Sequence, residues 1–480
     1  MIKRIFWHEW TLLSREKILY ITLPIYILLI GYGVFNGTAW KHFLTHRTQE
    51  AVQLADQGFI SKLSKLDRLL SGEDPYSFME DPRAPGPLAR YRGYEFAAKI
   101  PSPTAAIAIG QSDVLPSYLK VQWKPMFKQA NIDEIENPRN LAVGALDLSF
   151  VLIYLYPLLI IALSYNILSS ERENGTQALL LSQPVSVGQF VLGKILLRGG
   201  IIIGLAVGIS LFGLLVANPD ILSSGGLWRV GVLTLIMVLY GAFWFGLAVL
   251  VNAFGKKSPA NALILMGVWI ALVLIAPAAL NLAAKSAYPL PSRIEMVQSM
   301  RRGDKVAEQE SGFERSYRAD LLRKGEEEAL EASISDFYAN ILPLEEKGER
   351  IAAPIFEKFE AQRQSQQRLT EGLKYTSPAA VTQIALSELA GHSTASFNDF
   401  TSQVLAYHGV WRDFFYPKVM ENRMLTREEL AGIPRFSYVP EADGRIFTRV
   451  LRDVAALGLF AGLALVLGFA MLRRYPAASR

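Results

Sequence analysis

Cysteine is absent from the 480 residues, which excludes a disulfide framework and any thiolate-bound metal. Charge is scarce. Only 19% of residues are Asp, Glu, Lys or Arg against 51% apolar, too apolar for an ordinary soluble protein. No P-loop is present: Gly255-Lys256-Lys257-Ser258 lacks the upstream glycine and the residue order of GxxxxGK(S/T), and reads as a turn with two lysines. The chain is therefore not expected to hydrolyse ATP or to bind a cofactor. Its five histidines, His8, His42, His46, His392 and His408, are scattered. His42 and His46 stand four apart but without an HExxH pattern, and no Gly-x-Ser-x-Gly elbow occurs. Neither a metal centre nor a catalytic residue is expected.

What the chain does have is six apolar runs, at 18–37, 148–168, 199–217, 230–254, 260–284 and 454–472. Each approaches the roughly 20 residues that a helix needs to cross a hydrocarbon core of ~30 Å. A core helix of a soluble protein would carry a polar stripe, and these carry almost none. The expected fold class is mainly α, a polytopic membrane protein with six transmembrane helices. With their flanks, the third and sixth run 188–217 and 450–472. The first run is too long for a signal-peptide core, and Tyr32, Phe35 and Trp40 make a poor cleavage context.

Charge gives the orientation. If the N-terminus lies inside, the inside segments are 1–17, 169–198, 254–258 and 473–480, which hold twelve basic and four acidic residues. The remainder of the chain has a small acidic excess, so the formal charge of +5 comes from the inside, as the positive-inside rule expects. A nucleic-acid partner is not needed to account for it. The segment 473–480 then forms a cytoplasmic tail.

Two long hydrophilic segments, 38–147 and 285–449, fall outside in this topology. In the first, Val52, Leu54, Phe59, Ile60, Leu63, Leu66, Leu69 and Leu70 follow a helical rhythm before a proline-rich loop from Pro75 to Pro87. In the second, 305–340 and 344–373 are charged, helix-favouring stretches with a break expected near Pro343. Tethered by spans one, five and six, both are expected to form one large, mostly helical extracytoplasmic domain.

Residues 1–17 form a basic amphipathic helix with Ile2, Ile5, Phe6, Trp10 and Leu13 on one face, suited to the inner membrane interface. Trp7 and Trp10 fit the headgroup zone. The spans carry almost no charge. Asp147, Arg198, Arg229 and Asp453 stand at their edges, where side chains snorkel or meet water, which disfavours coupling to an ion gradient. Gly200, Gly204 and Gly208 share one face of span three, a surface for packing within the chain or against a second copy. Tyr240, Phe243, Trp244, Phe245 and Trp269 either line a hydrophobic substrate path or pack and anchor the helices.

Between spans two and three, 169–187 is a short polar island: Glu171-Arg172-Glu173-Asn174-Gly175-Thr176, then Leu179-Leu180-Leu181, Pro184 and Gly193-Lys194. This stretch resembles the most recognisable segment of ABC transporter permeases of the type-2 exporter (ABC-2) class. The run His8-Glu9-Trp10 through Arg15-Glu16-Lys17 resembles that family's amphipathic lead-in helix. The large outer segments resemble the family's enlarged-insert branch.

The resemblance implies a permease subunit in the inner membrane of a bacterium, with both termini cytoplasmic. It implies two cytoplasmic ATPase subunits that carry ATP and Mg, and a second permease copy or a related permease. Glu171, Arg172, Glu173, Gly175, Thr176, Leu179, Leu180, Pro184 and Lys194 would engage the ATPase. A helix starting at Glu171 would place its carboxylates at a positive helix end. Glu9 and the 254–258 turn would add contacts, while Ile5, Phe6, Glu9 and Trp10 mark the interfacial helix. The size of the outer domain points to a periplasmic or outer-surface partner, or to closure over cargo. The rival reading is a membrane scaffold or sensor whose outer domain binds a ligand or protein, though a scaffold needs no coupling-type loop.

Overall fold

The computed structural model describes residues 2–15, 17–125, 146–176, 186–223, 225–311 and 327–473. Six helices in it are long and apolar enough to cross a membrane, and the chain is a mainly α, polytopic membrane protein. All six contribute to one apolar core. The short connections 169–176 and 254–257 lie at one end of this bundle, here the loop side. The two long polar segments lie at the other, the domain side.

Several elements differ from the sequence reading. Span one does not end at the membrane. It continues as one helix, Lys17–Ser71, of 55 residues, or about 80 Å at 1.5 Å per residue. The polar stretch after residue 37 changes composition without supplying a proline or a glycine pair, so nothing stops the helix. The expected break at Pro343 is also absent, because Glu327–Leu373 runs through both Pro343 and Pro354. A proline inside a helix costs on the order of 3 kcal/mol. Burial of Tyr338, Leu342 and Ala352 around the two prolines offsets that cost. The second and fifth spans each contain a π-helical turn, Val151–Leu155 and Ile270–Ile275. Each turn directly precedes a helical segment with a proline in its first turn, Pro157 and Pro277, where the wider turn accommodates the missing N–H.

The two polar segments share a second core. Leu66, Leu88, Trp123, Tyr338, Phe400 and Trp411 belong to it, drawn from both sides of the chain. Ion pairs cross the same seam: Arg90–Glu345 at 2.6 Å, Arg412–Glu349 at 2.8 Å and Arg435–Glu95 at 2.7 Å. Alongside the helices lies one small antiparallel sheet, β1 (Glu95–Ala98) with β2 (Tyr118–Val121), in which Glu95 faces Val121. A helical hairpin of Arg293–Ser311 and Glu327–Leu373 closes tightly where a Cβ on Gly303 would stand 2.4 Å from the Gly348 carbonyl oxygen.

The edge charges of the spans bolt this domain down rather than reaching for water. Asp147 is 2% exposed, and its carboxylate accepts from the backbone N–H groups of Ile109 and Phe150, both at 2.7 Å. Arg229 donates to Ser102 and pairs with Asp443 at 2.8 Å. Asp453, fully buried, pairs with Lys374 at 2.5 Å. A Cβ on Gly37 would meet the Ala106 carbonyl oxygen at 2.1 Å, so span one and the polar segment touch backbone to backbone there. By contrast, nothing in the described residues lies within 4 Å of where a Cβ would stand at Gly200, Gly204 or Gly208. Among the described residues, nothing packs on that face of span three.

Two of the scattered histidines are buried in or beneath the domain. The His392 Nδ1 lies 2.7 Å from the Ala108 carbonyl and the His408 Nε2 lies 3.1 Å from the Lys124 carbonyl. Burial pushes both pKa values down to about 4, with Lys99 and Arg412 respectively adding to the shift. Folded, they stay neutral until about pH 4; unfolded, they take up protons below about pH 6.5. Their stabilisation is thus complete above pH 6.5 and drains away as the pH falls to 4, on the order of 3 kcal/mol apiece. Thermal melts of the purified protein between pH 7 and 4.5 are expected to show this loss. The His392→Gln/His408→Gln variant is expected to have a clearly flatter profile, and an equally steep one would contradict the assignment.

Candidate functional site

The loop-side island folds as a five-residue helix, Ser169–Glu173, that ends rather than begins at the acidic run. Gly175 has φ +72°, the left-handed conformation glycine adopts at a helix C-terminus. The N–H of Asn174 returns to the Ser170 carbonyl at 2.9 Å, and that of Thr176 to the Glu171 carbonyl at 2.9 Å. This corrects the expectation of a helix starting at Glu171. Glu171 is held by the Lys194 and Thr176 side chains, and Glu173 by the hydroxyl and backbone N–H of Ser258, at the start of the span-five helix Ser258–Trp269. Leu179, Leu180 and Pro184 lie outside the described residues. The chain then enters span three, Val187–Ala217, through a capping box in which Ser186 and Gln189 each accept from the other's backbone N–H at 3.2 Å.

Two cations on span three organise the site. Lys194 is 2% exposed and donates to Glu171 Oε1 at 2.9 Å and to the Ile167 carbonyl at 3.2 Å. One turn on, Arg198 is 4% exposed and grips Glu9 Oε1 through Nε at 2.7 Å and Nη2 at 2.5 Å. Its Nη1 donates to the Leu163 carbonyl and, at 3.2 Å, to Asn166. The second oxygen of Glu9 stands 3.5 Å from Lys194 without a hydrogen bond. Glu171, Lys194, Glu9 and Arg198 thus form one buried chain of alternating charge. It joins the N-terminal helix, the end of span two and the start of span three.

The N-terminal helix, Ile2–Leu13, therefore has a different inner face from the one expected. The stripe turned inward is Ile5, Glu9 and Leu13, with Glu9 1% exposed and Ile5 and Phe6 half-buried. Trp10 is exposed, as is Trp7, so both indoles are open to the interface. Gly193 is the reason the helix lies so close, since a Cβ there would stand 2.7 Å from the Ile5 side chain.

A second lash runs to the turn between spans four and five. Glu173 accepts from the Ser258 N–H at 2.7 Å and from its hydroxyl at 2.8 Å, and Arg172 donates to the Gly255 carbonyl. Beneath them Ser169 meets Ser258 at 2.8 Å, while Asn261 reaches the Asn252 side chain at 3.2 Å. The sequence reading placed Ser258 in a turn expected to add contacts but did not single out Asn252 or Asn261. Three polar residues at the end of one apolar run and the start of the next were the available signal.

The structure thus brings together Glu171, Arg172, Glu173, Thr176, Lys194 and Glu9, and engages their charged groups within the chain. Arg198 joins them by pairing rather than by snorkelling. The aromatic residues of spans four and five do not share this site. Tyr240, Phe243 and Trp244 are buried in the core, where Tyr240 donates to the Ile153 carbonyl at 3.1 Å. Phe243 stacks edge-on against Phe460, and half-buried Trp269 packs against the same core. In this conformation they pack in or against the core.

Removing one partner of a buried ion pair leaves an uncompensated charge and costs about 3–5 kcal/mol. Glu9→Leu is expected to lower the melting temperature sharply, and adding Arg198→Leu to restore much of it. A double variant that melts no higher than the single one would show that this pair does not hold the site.

Residues 126–282 match the ABC-2 family transporter protein family, and residues 293–439 match a domain of unknown function (DUF3526). Over 128 residues the chain is 36% identical to the "Probable ABC transporter permease protein NosY" of Stutzerimonas stutzeri. That stretch covers 25% of this chain and 45% of that protein, so the chain spans less than half the length of the relative it matches. The first match takes in spans two to four, most of span five and the loop-side site apart from the N-terminal helix with its Glu9, and the second falls inside the later polar segment. The six spans and these matches support an ABC-2 type permease.

Proposed function

We propose that the chain is the membrane subunit of an ATP-driven exporter, powered by a separate cytoplasmic ATPase that docks on residues 171–184. The observation that carries this reading is the double lash of the Ser169–Glu173 helix. One set of bonds ties it to span three, which in turn grips the N-terminal helix, and the other ties it to the turn between spans four and five. A push on the exposed turn at Gly175 and Thr176 is therefore delivered to four spans at once. Nucleotide and Mg belong to the ATPase, and two ATPase copies would serve a pair of permeases.

The charge distribution supports a cytoplasmic loop side, with twelve basic and four acidic residues in its segments. The polar domain then faces outward, and both termini lie inside the inner membrane. The unpacked Gly200–Gly204–Gly208 face supports a second permease copy, since small residues let helices approach closely.

The contacts sharpen what the acidic residues do. Glu171 and Glu173 hold the docking turn in place from below, and the turn itself meets the partner. Glu171→Ala with Glu173→Ala is expected to leave the chain in the membrane while weakening co-purification of the ATPase or uncoupling its hydrolysis from transport. If ATPase recovery and transport-coupled hydrolysis both match the unaltered protein, residues 171–184 are not where energy enters.

A further inference from the structure

The polar domain contains a cleft of about 290 Å³, roughly the room of nine waters at ~30 Å³ each. One wall is the extended span-one helix, with Ser61, Lys62 and Lys65; Arg92, Tyr94 and Asp81 face it. Gly58 leaves the floor open. The Tyr94 hydroxyl and the Lys62 ammonium lie 3.5 and 3.9 Å from where its Cβ would stand, so two donors converge on one spot.

The acids near the cleft are already committed. Both oxygens of Asp81 are held by Arg83, the Nη2–Oδ2 contact being 2.8 Å, and Glu95 pairs with Arg435 at 2.7 Å. Glu80 is bound to Lys65. Of the donors, Ser61 gives its hydroxyl hydrogen to the Gly58 carbonyl at 2.8 Å. Arg92 gives one N–H to the Met79 carbonyl at 2.8 Å and makes no other hydrogen bond among the described residues. Lys62 has no hydrogen bond or counter-ion among the described residues, only the face of the Tyr94 ring 5.5 Å away. Lys120 approaches the same ring at 4.5 Å.

A half-buried lysine beside an arginine, with no acid of its own, is unfavourable in the empty protein. Burial first, and then the charges of Arg435 and Arg92, hold the Lys62 pKa below the usual lysine range, with Glu95 opposing. An oxyanion seated among these donors would relieve the repulsion and gain charge-assisted hydrogen bonds. Lys62 also stands 25 residues beyond the end of the apolar run at residue 37, on the order of 35 Å along the helix. That distance favours a ligand arriving from solution over a headgroup of the bilayer.

We propose that this cleft binds a small soluble oxyanion, a solute bearing a phosphate or carboxylate group, with Lys62, Arg92 and the Tyr94 hydroxyl as its direct donors. It gives the domain a ligand of its own, whether or not the loop-side site docks an ATPase.

Calorimetric titration of the full-length protein in detergent, with inorganic phosphate and separately with citrate, tests the assignment. At least one of the two is expected to bind saturably. Lys62→Gln and Arg92→Gln are each expected to weaken that binding at least tenfold. In the absence of anion, Lys62→Gln is expected to melt no lower than the unaltered protein, because it removes repulsion; a merely structural lysine would lower the melting point. Absence of saturable binding of both probes would overturn the proposal, as would equal affinity in the two variants. Binding of short-chain phosphatidic acid but of neither soluble anion would assign the cleft to a lipid and overturn the soluble-ligand reading.

Discussion

Two cations on span three, Lys194 and Arg198, sit in apolar surroundings with almost no exposure, and the loop side is built around satisfying them. Burying either charge there without a partner would be far too costly, because it removes an ion from water. Span three cannot supply the counter-charges itself. Glu9 comes from the N-terminal helix and Glu171 from the end of span two, so meeting the electrostatic demand also fixes three elements against one another. The bare surface at Gly193 and the left-handed turn at Gly175 follow from the same need. One lets the N-terminal helix approach, and the other ends the short helix so that Glu171 is left facing Lys194.

Span three is held at its other end as well. Asn218, just past its last turn, donates to Thr38 at 3.1 Å and accepts from Lys41 at 3.2 Å. Both partners belong to the long span-one helix that rises into the polar domain. A rigid helix of 31 residues, about 46 Å long, thus connects the loop-side ion chain to the foot of that domain. Buried packing between spans four and six, where a Cβ on Gly246 would stand 2.8 Å from the Leu465 backbone, gives the bundle little slack to absorb a displacement.

The six spans were legible because an uninterrupted apolar helix of this length is at home almost nowhere but in a bilayer. The N-terminal helix and the loop between spans two and three were legible as elements, but not in their contacts. The Glu9–Arg198 pair joins residues 189 positions apart, and nothing local at either residue announces the other. For the same reason Arg198, Arg229 and Asp453 read as edge charges reaching for water when they are buried and paired. Helix limits failed where composition and geometry part company. The span-one helix outlasts its apolar run by some thirty residues because no breaker follows, and Pro343 fails to end a helix whose flanking residues are buried. The acidic run misled in the opposite way: Glu171 to Glu173 look like a helix start, but Gly175 makes them a helix end. The anion cleft was invisible, since Lys62, Arg92 and Tyr94 meet only once the helix and the strand region pack together.

The central claim is that the turn at Gly175 and Thr176 meets a cytoplasmic ATPase. A photoreactive amino acid placed at Thr176, an exposed position, reads this contact directly in living cells. Illumination is expected to yield a crosslinked product in which mass spectrometry finds an ABC-type ATPase. Crosslinks only to lipid or to the chain itself, with the ATPase present in the same membranes, would contradict the account.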